Sequence, residues 1–349
     1  MKKIKIGKNK YIGEKEPCFI IAEMSANHAQ DLKIAKKIIR AAKKSGADAV
    51  KIQTYTPDTM TIPSKRKWFM VKHPKWGGQS LYDLYKKAYT PWKWHKDLKK
   101  VAEDEGVALF STPFDKSAVD FLQEQDVPVY KVASFELVDI PLLKYIAQTG
   151  KPVIMSTGMA NLQEIKEAVA ALRKHGCEDL VLLKCVSSYP ADPSDMNIKT
   201  IEDLRERFKV HVGLSDHSLG IGVAIASVVL GAKVIEKHFT ISRKIKNPDS
   251  FFSIEPGEMG DLVKNVRLVE KAIGKRFYGL TQKEKMSKVF RRSIFIVKDT
   301  QKGELFNEGN LRIVRPSNGM KPKHYEAILG RKARKTVKAG TPLGRSMYS

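Results

Sequence analysis

Residues 210–239, VHVGLSDHSLGIGVAIASVVLGAKVIEKHF, read as strand, loop, helix, strand. A strand over 210–214 runs into Ser215-Asp216-His217. A small-residue apolar helix follows over about 219–230, and a second strand, 234–238, ends on another histidine. In a parallel βαβ unit both strands point the same way, so their C-terminal ends lie side by side. That places His217 beside His238. Two neighbouring imidazoles can share a divalent metal, or they can be ordinary polar residues of a sheet rim.

The same rhythm runs through most of the chain. Candidate strands are 19–23 (FIIAE), 49–53 (AVKIQ), 107–112 (VALFST), 129–133 (VYKVA), 153–156 (VIMS), 180–185 (LVLLKC), 210–215 and 234–238. Helical patterns lie between them, for example over 31–45, 91–105, 116–125, 161–175 and 256–273. About eight βα repeats over about 255 residues predict an α/β chain folded as a (β/α)8 TIM barrel. An open doubly wound sheet carries fewer strands, and no glycine-rich dinucleotide fingerprint follows the first strand. Residues 3–12 alternate around a Gly-Lys-Asn-Lys turn, a hairpin suited to capping the barrel bottom.

Polar residues collect at the strand ends. Alternation puts Lys51 and Gln53 on one face of their strand, opposite Val50 and Ile52. Glu23, Thr112, Ser156, Ser215 and His238 end strands, and Lys131 sits near the end of its own. Barrel enzymes keep their active sites at that end. A lysine in an apolar strand is costly unless it meets an anion. Lys51 and Lys131 therefore suggest a doubly anionic ligand such as a phosphorylated carboxylic acid, or else pairing with a structural carboxylate, Glu23 or Glu136.

Composition narrows the class. The 349 residues carry a net charge of +25, with the lysines spread over helices such as KIAKKIIRAAKKSG. That pattern is a solvated basic surface that attracts anionic substrates. No helix-turn-helix, zinc-finger or RNA-recognition signature accompanies it, so no nucleic-acid partner is expected. No apolar run spans a membrane and the first residues lack a signal-peptide pattern. Cys18, Cys177 and Cys185 read as free thiols of a cytoplasmic protein.

Two segments break the rhythm. About 37 residues, 54–90, separate Gln53 from the next long helical pattern, and they are rich in Trp, Tyr, Lys and Gly. Long connections in compact domains are usually functional, so this one reads as a substrate-covering loop, or else as a surface insertion. After the barrel domain, 1–273, residues 274–289 form a linker and 290–349 a small, mainly β domain.

The ordered stretches IIAEMSANH (20–28), GADAVKIQTY (46–55), FSTPFD (110–115), YKVASFE (130–136), VIMSTGM (153–159), CVSSYP (185–190), GLSDHS (213–218) and VIEKHFT (234–240) resemble the sialic acid synthase family. So do RRSIF (291–295) and VRPSNGMKP (314–322), in the place of that family's C-terminal antifreeze-like, or SAF, domain. The stretch 80–95 resembles the branch that makes pseudaminic acid more than the N-acetylneuraminate branch, with legionaminic acid synthases a further alternative. CVSSYP departs from the Thr-Asn pattern frequent there, so Ser187 stands where a phosphate-contacting Asn is usual.

The resemblance implies condensation of phosphoenolpyruvate with an open-chain N-acetylated amino sugar and water. It implies a metal held by His217 and His238, Mn²⁺ by preference, with Mg²⁺ or Co²⁺ as alternatives. By the same resemblance Lys51 and Lys131 hold phosphate and carboxylate, helped by Thr112, Ser134, Ser156, Ser187 and Ser215. Glu23 is the implied acid/base, and Gln53, Glu136, Tyr189 and Asp249 line the sugar side. Arg315 would reach the N-acyl group from the small domain of a partner, in a domain-swapped homodimer. Two competitors are a barrel that condenses phosphoenolpyruvate with a sugar phosphate, and a non-catalytic nucleic-acid- or carbohydrate-binding protein.

Overall fold

The computed structural model describes residues 1–349, which fall into two compact units, Met1–Gly274 and Lys275–Ser349. In the first, β1 (Ile4–Lys5) and β2 (Tyr11–Ile12) pair as an antiparallel hairpin. Eight parallel strands then close into a barrel. They are β3 (Phe19–Glu23), β4 (Ala49–Thr54), β5 (Ala108–Pro113), β6 (Tyr130–Val132), β7 (Val153–Ser156), β8 (Leu180–Cys185), β9 (His211–Asp216) and β10 (Val234–His238). β10 returns to pair with β3, with His238 opposite Glu23, and this closes the ring. The predicted (β/α)8 barrel is the observed one.

Strand alternation sorts the residues. Val50, Ile52, Leu214 and Ile235 face the surrounding helices and join the large core cluster. Phe19, Ile21, Ala49, Phe110, Ile154 and Val234 face inward and form a second cluster with Ile4, Ile6 and Ile12 of the hairpin. The hairpin thus plugs the lower end of the barrel with apolar side chains. Higher up, the inward positions become Glu23, Lys51, Gln53, Glu236 and His238. One close approach demands glycine: a Cβ on Gly213 would lie 2.2 Å from Val234 O on the neighbouring strand.

The helices follow local chemistry. Leu32–Lys44 is capped by Asp31 and buries Ala35, Ile38, Ile39 and Ala42, one stripe of its surface. Leu162–Lys174 begins with a capping box between Asn161 and Glu164. Two expected helices are shorter than the sequence pattern. Trp92–Trp94 form a 3-10 turn, so the regular helix starts at His95; Leu219 and Gly220 stay outside Gly222–Val229, with Gly220 at φ +73. The long 54–90 connection holds a helix, Leu81–Ala88, capped by Ser80. No helix is long and apolar enough to cross a membrane.

The second unit pairs β11 (Ser293–Ile296) antiparallel with β12 (Leu311–Val314). Its core holds Ile294, Ile296, Phe306, Leu311, Ile328, Val337 and Leu343. The stretch 332–340 makes isolated bridges, such as Thr300 with Val337, and no continuous strand.

Candidate active site

Four strands, β3, β4, β6 and β10, supply the centre of the upper barrel. Lys51 on β4 and Lys131 on β6 are 3% and 1% exposed, so each must meet an anion inside. Glu23 Oε2 lies 2.6 Å from Lys51 Nζ, off the axis of a hydrogen bond. Between the two lysines sits Glu236 of β10, its Oε1 3.6 Å from Lys51 Nζ and 3.9 Å from Lys131 Nζ. The sequence reading did not single out Glu236. Its signal was the alternation of β10, which places Val234, Glu236 and His238 on the same inward face. Lys131 pairs with this residue rather than with Glu136.

Hydroxyls complete the cluster. Lys51 donates to Thr112 Oγ1 (3.2 Å), and Lys131 donates to Ser156 Oγ (2.7 Å) and Val132 O (2.9 Å). Ser215 donates to Glu236 Oε1 at 3.4 Å, and Gln53 Nε2 donates to Glu23 Oε1 at 3.1 Å. Above β7 the Gly158 N–H donates to Ser134 Oγ at 3.0 Å. A Cβ on Gly158 would come within 2.3 Å of Ser187 Oγ and 2.7 Å of Ser134 Oγ. Ser134, Ser187 and Gly158 therefore form an oxygen-lined cradle that only glycine leaves open.

Burial and charge set the protonation states. Burial pushes Glu23 up to about 7, with Lys51 pulling against it. Burial opposes ionisation of Glu236 too, but Lys131 and Lys51 outweigh it and hold the carboxyl below its usual range. Burial lowers Lys131, and Glu236 offsets part of this; at Lys51 the Glu23 and Glu236 charges more than offset burial and raise its pKa.

Glu136 stands apart. It follows β6 in the turn Ser134–Glu136, its Oε2 is buried without a partner, and burial pushes its carboxyl up to about 7. A carboxyl whose pKa is raised on folding favours the folded state below the unfolded value of about 4.5, and that advantage is lost as pH rises through about 7. Glu136→Gln is therefore expected to gain about 2–3 kcal/mol of stability relative to wild type between about pH 5 and about pH 8. Urea titrations of both proteins at the two pH values measure this; an equal difference at both would refute the titration.

The histidines meet at the rim. The His217 and His238 ring centroids are 5.4 Å apart. Tyr189 lies 4.4 Å from His217 and Phe252 4.7 Å from His238, enclosing the pair in aromatic rings. His217 Nδ1 is 2.8 Å from Val186 O, so a neutral His217 donating there presents Nε2 as a lone pair. His238 Nδ1 is buried without a hydrogen-bond partner, and Asp249 Oδ2 stops 3.8 Å from it. Burial and the adjacent His217 hold His238 well below the ordinary imidazole range, which keeps it neutral as a ligand must be. At His217 burial also opposes charge, but Cys185 Sγ, 3.8 Å from Nδ1, offsets it and raises the pKa. No third His, Cys, Asp or Glu joins the two to complete a protein-only metal site.

Asp249 accepts from the Ala26 N–H at 3.0 Å, which ties the loop after β10 to the one after β3. The long connection does reach this region: Trp76 donates from Nε1 to Pro248 O at 2.7 Å and packs 5.6 Å from Tyr189. Arg315 lies in the second unit just after β12, exposed beside Arg292, Arg312 and Tyr325.

Barrels keep their chemistry at this end of the sheet, and a buried lysine pair beneath a histidine pair suits an acidic substrate. Fold and site together define the class, a barrel enzyme. Residues 38–278 match the NeuB family and residues 291–348 the SAF domain, and the chain belongs to the NeuB family. A pseudaminic acid synthase of Campylobacter jejuni is 46% identical over 325 residues, covering 93% of this chain and 95% of its own. One of Helicobacter pylori is 42% identical over 329 residues, covering 94% and 97%. The crystal structure of an N-acetylneuraminic acid synthetase from Leptospira borgpetersenii has a TM-score of 0.73 at 33% identity, over 82% of this chain and 95% of that one.

Proposed function

We propose that the protein is a pseudaminic acid synthase. It condenses phosphoenolpyruvate with 2,4-diacetamido-2,4,6-trideoxy-L-altrose and water, releasing pseudaminic acid and phosphate. The observation that carries this reading is identity of 42–46% over nearly the whole length to proteins that bear that name. The site supplies the chemistry. Lys51 and Lys131 bind the carboxylate and phosphate, with Thr112, Ser156 and Ser215 beside them and the Ser134–Gly158–Ser187 cradle above.

His217 and His238 are suited to hold a divalent ion, Mn²⁺ by preference and Mg²⁺ or Co²⁺ otherwise, with water and sugar completing its shell. Bound there, the ion supplies Lewis-acid polarisation of the sugar aldehyde. C3 of phosphoenolpyruvate forms the new carbon–carbon bond, and C2 is left electron-poor. Water adds at C2, the C2–O bond to phosphorus breaks, and phosphate leaves.

Glu236 is our candidate for the proton from that water. Substrate anions draw the lysines away from it, which raises its basicity at the moment it is needed. Glu23, held near neutrality, is the candidate donor to the new hydroxyl, with Gln53 fixing its orientation. Glu136, Tyr189 and Asp249 line the sugar side. In this reading phosphate formed in ¹⁸O-labelled water carries no label; label in the phosphate would contradict C–O cleavage.

The active species is a domain-swapped homodimer, in which Arg315 of each chain contacts the N-acyl group of the sugar in its partner's barrel. Arg315→Ala is expected to raise the sugar KM roughly tenfold or more, the loss of one charge-assisted contact, and to leave the phosphoenolpyruvate KM nearly unchanged. Equal loss for both substrates would remove that role. We place the enzyme in the cytosol, a compartment that suits three free, buried cysteines.

A further inference from the structure

A wholly buried ion pair lies on the opposite face of β9 and β10 from the site. Lys237 Nζ donates to Asp216 Oδ2 at 2.8 Å and to Ser218 O at 2.6 Å, and the two charged side chains are 1% and 0% exposed. Asp216 Oδ1 in turn accepts from Ser218 N at 2.9 Å and from Ser218 Oγ at 2.6 Å. Lys237 and Asp216 are direct cross-strand partners. Their alternation sends them outward, into the layer where Leu214 and Ile235 join the apolar core.

An apolar pair would join sheet to helices at least as well, because desolvation consumes most of what a buried ion pair gains. The bonds add direction. One end is the residue before His238, and the other grips the residues on both sides of His217. His217 is thus bracketed from behind, while its ring is oriented by Val186 O and its carbonyl accepts from the Ala191 N–H at 3.0 Å. From this geometry we infer that Asp216, Lys237 and Ser218 form a clamp that sets the spacing of the two imidazoles. The clamp positions the metal ligands without touching metal or substrate. This inference rests on the reading of His217 and His238 as a metal site.

The test uses the full-length protein with Mn²⁺ as probe, followed by electron paramagnetic resonance, and does not depend on turnover. K237M alone leaves Asp216 charged and unpaired, so it is expected to fold poorly. D216N/K237M removes both charges and is the informative variant. Its Tm is expected to stay within a few degrees of wild type, and its phosphoenolpyruvate affinity without metal is expected to be unchanged. Its Mn²⁺ affinity is expected to fall by roughly ten- to a hundredfold. Mn²⁺ affinity within about twofold of wild type would overturn the clamp, that change being well below the effect expected of ligand positioning. Joint collapse of Tm, phosphoenolpyruvate binding and Mn²⁺ binding would make the pair a general structural element and overturn it equally. Wild-type protein that binds no Mn²⁺ would remove the metal reading itself, and the clamp with it.

Discussion

His238→Ala is expected to lower kcat at least about a thousandfold, a barrier increase of about 4 kcal/mol. The imidazole stands at the end of β10, buried and neutral, facing His217 across 5.4 Å. In the proposed metal site, removing it leaves one imidazole in place of two, and a single imidazole holds Mn²⁺ weakly. Phosphoenolpyruvate binding should survive, because its anionic groups are assigned to Lys51, Lys131 and the hydroxyls below. Calorimetric titration with phosphoenolpyruvate, beside turnover in excess Mn²⁺, separates the effects. A kcat within tenfold of wild type would sink the assignment of His238.

The second large effect is expected at Lys131→Met. Lys131 is one of two ammonium groups that hold Glu236 charged, and it donates to Ser156 Oγ at 2.7 Å. The substitution removes the proposed substrate-anion contact and one of the two lysine counter-charges of a buried carboxylate. Turnover at low phosphoenolpyruvate should fall at least about a hundredfold, the cost of a lost charge-assisted contact plus misplacement. Stability should fall as well, by about 3 kcal/mol, because Glu236 is left undercompensated. The double variant K131M/E236Q separates the two consequences. It is expected to recover most of the stability and none of the activity. Recovery of activity in the double variant would remove both the anion-binding role of Lys131 and the base role of Glu236.

Much of this was legible in the sequence because the barrel obeys period-two and βα rules. The strands, the inward face of Lys51 and Gln53, and the pairing of His217 with His238 follow from alternation and parallel order. Glu236 escaped because a carboxylate flanked by isoleucine and lysine in VIEKH resembles any strand-end charge. Only closure of β10 onto β3 shows it facing both lysines. The 54–90 segment shows another limit. Its 81–88 helix, capped by Ser80, lies inside what reads as a loop in the sequence, and the seating of Trp76 against Pro248 and Tyr189 is a long-range contact. The role of Gly158 likewise emerges only when Ser134 and Ser187, from two other loops, converge on it.

Phosphate release from phosphoenolpyruvate in the presence of Mn²⁺, with one acceptor at a time, tests the central claim most directly. The acceptors are N-acetylmannosamine, its 6-phosphate, and the 2,4-diacetamido-2,4,6-trideoxyhexoses of altro and manno configuration. Release is expected with the altro sugar alone. Release with the manno sugar or with N-acetylmannosamine instead would contradict the pseudaminic acid assignment, and no release with any acceptor would contradict the synthase reading itself.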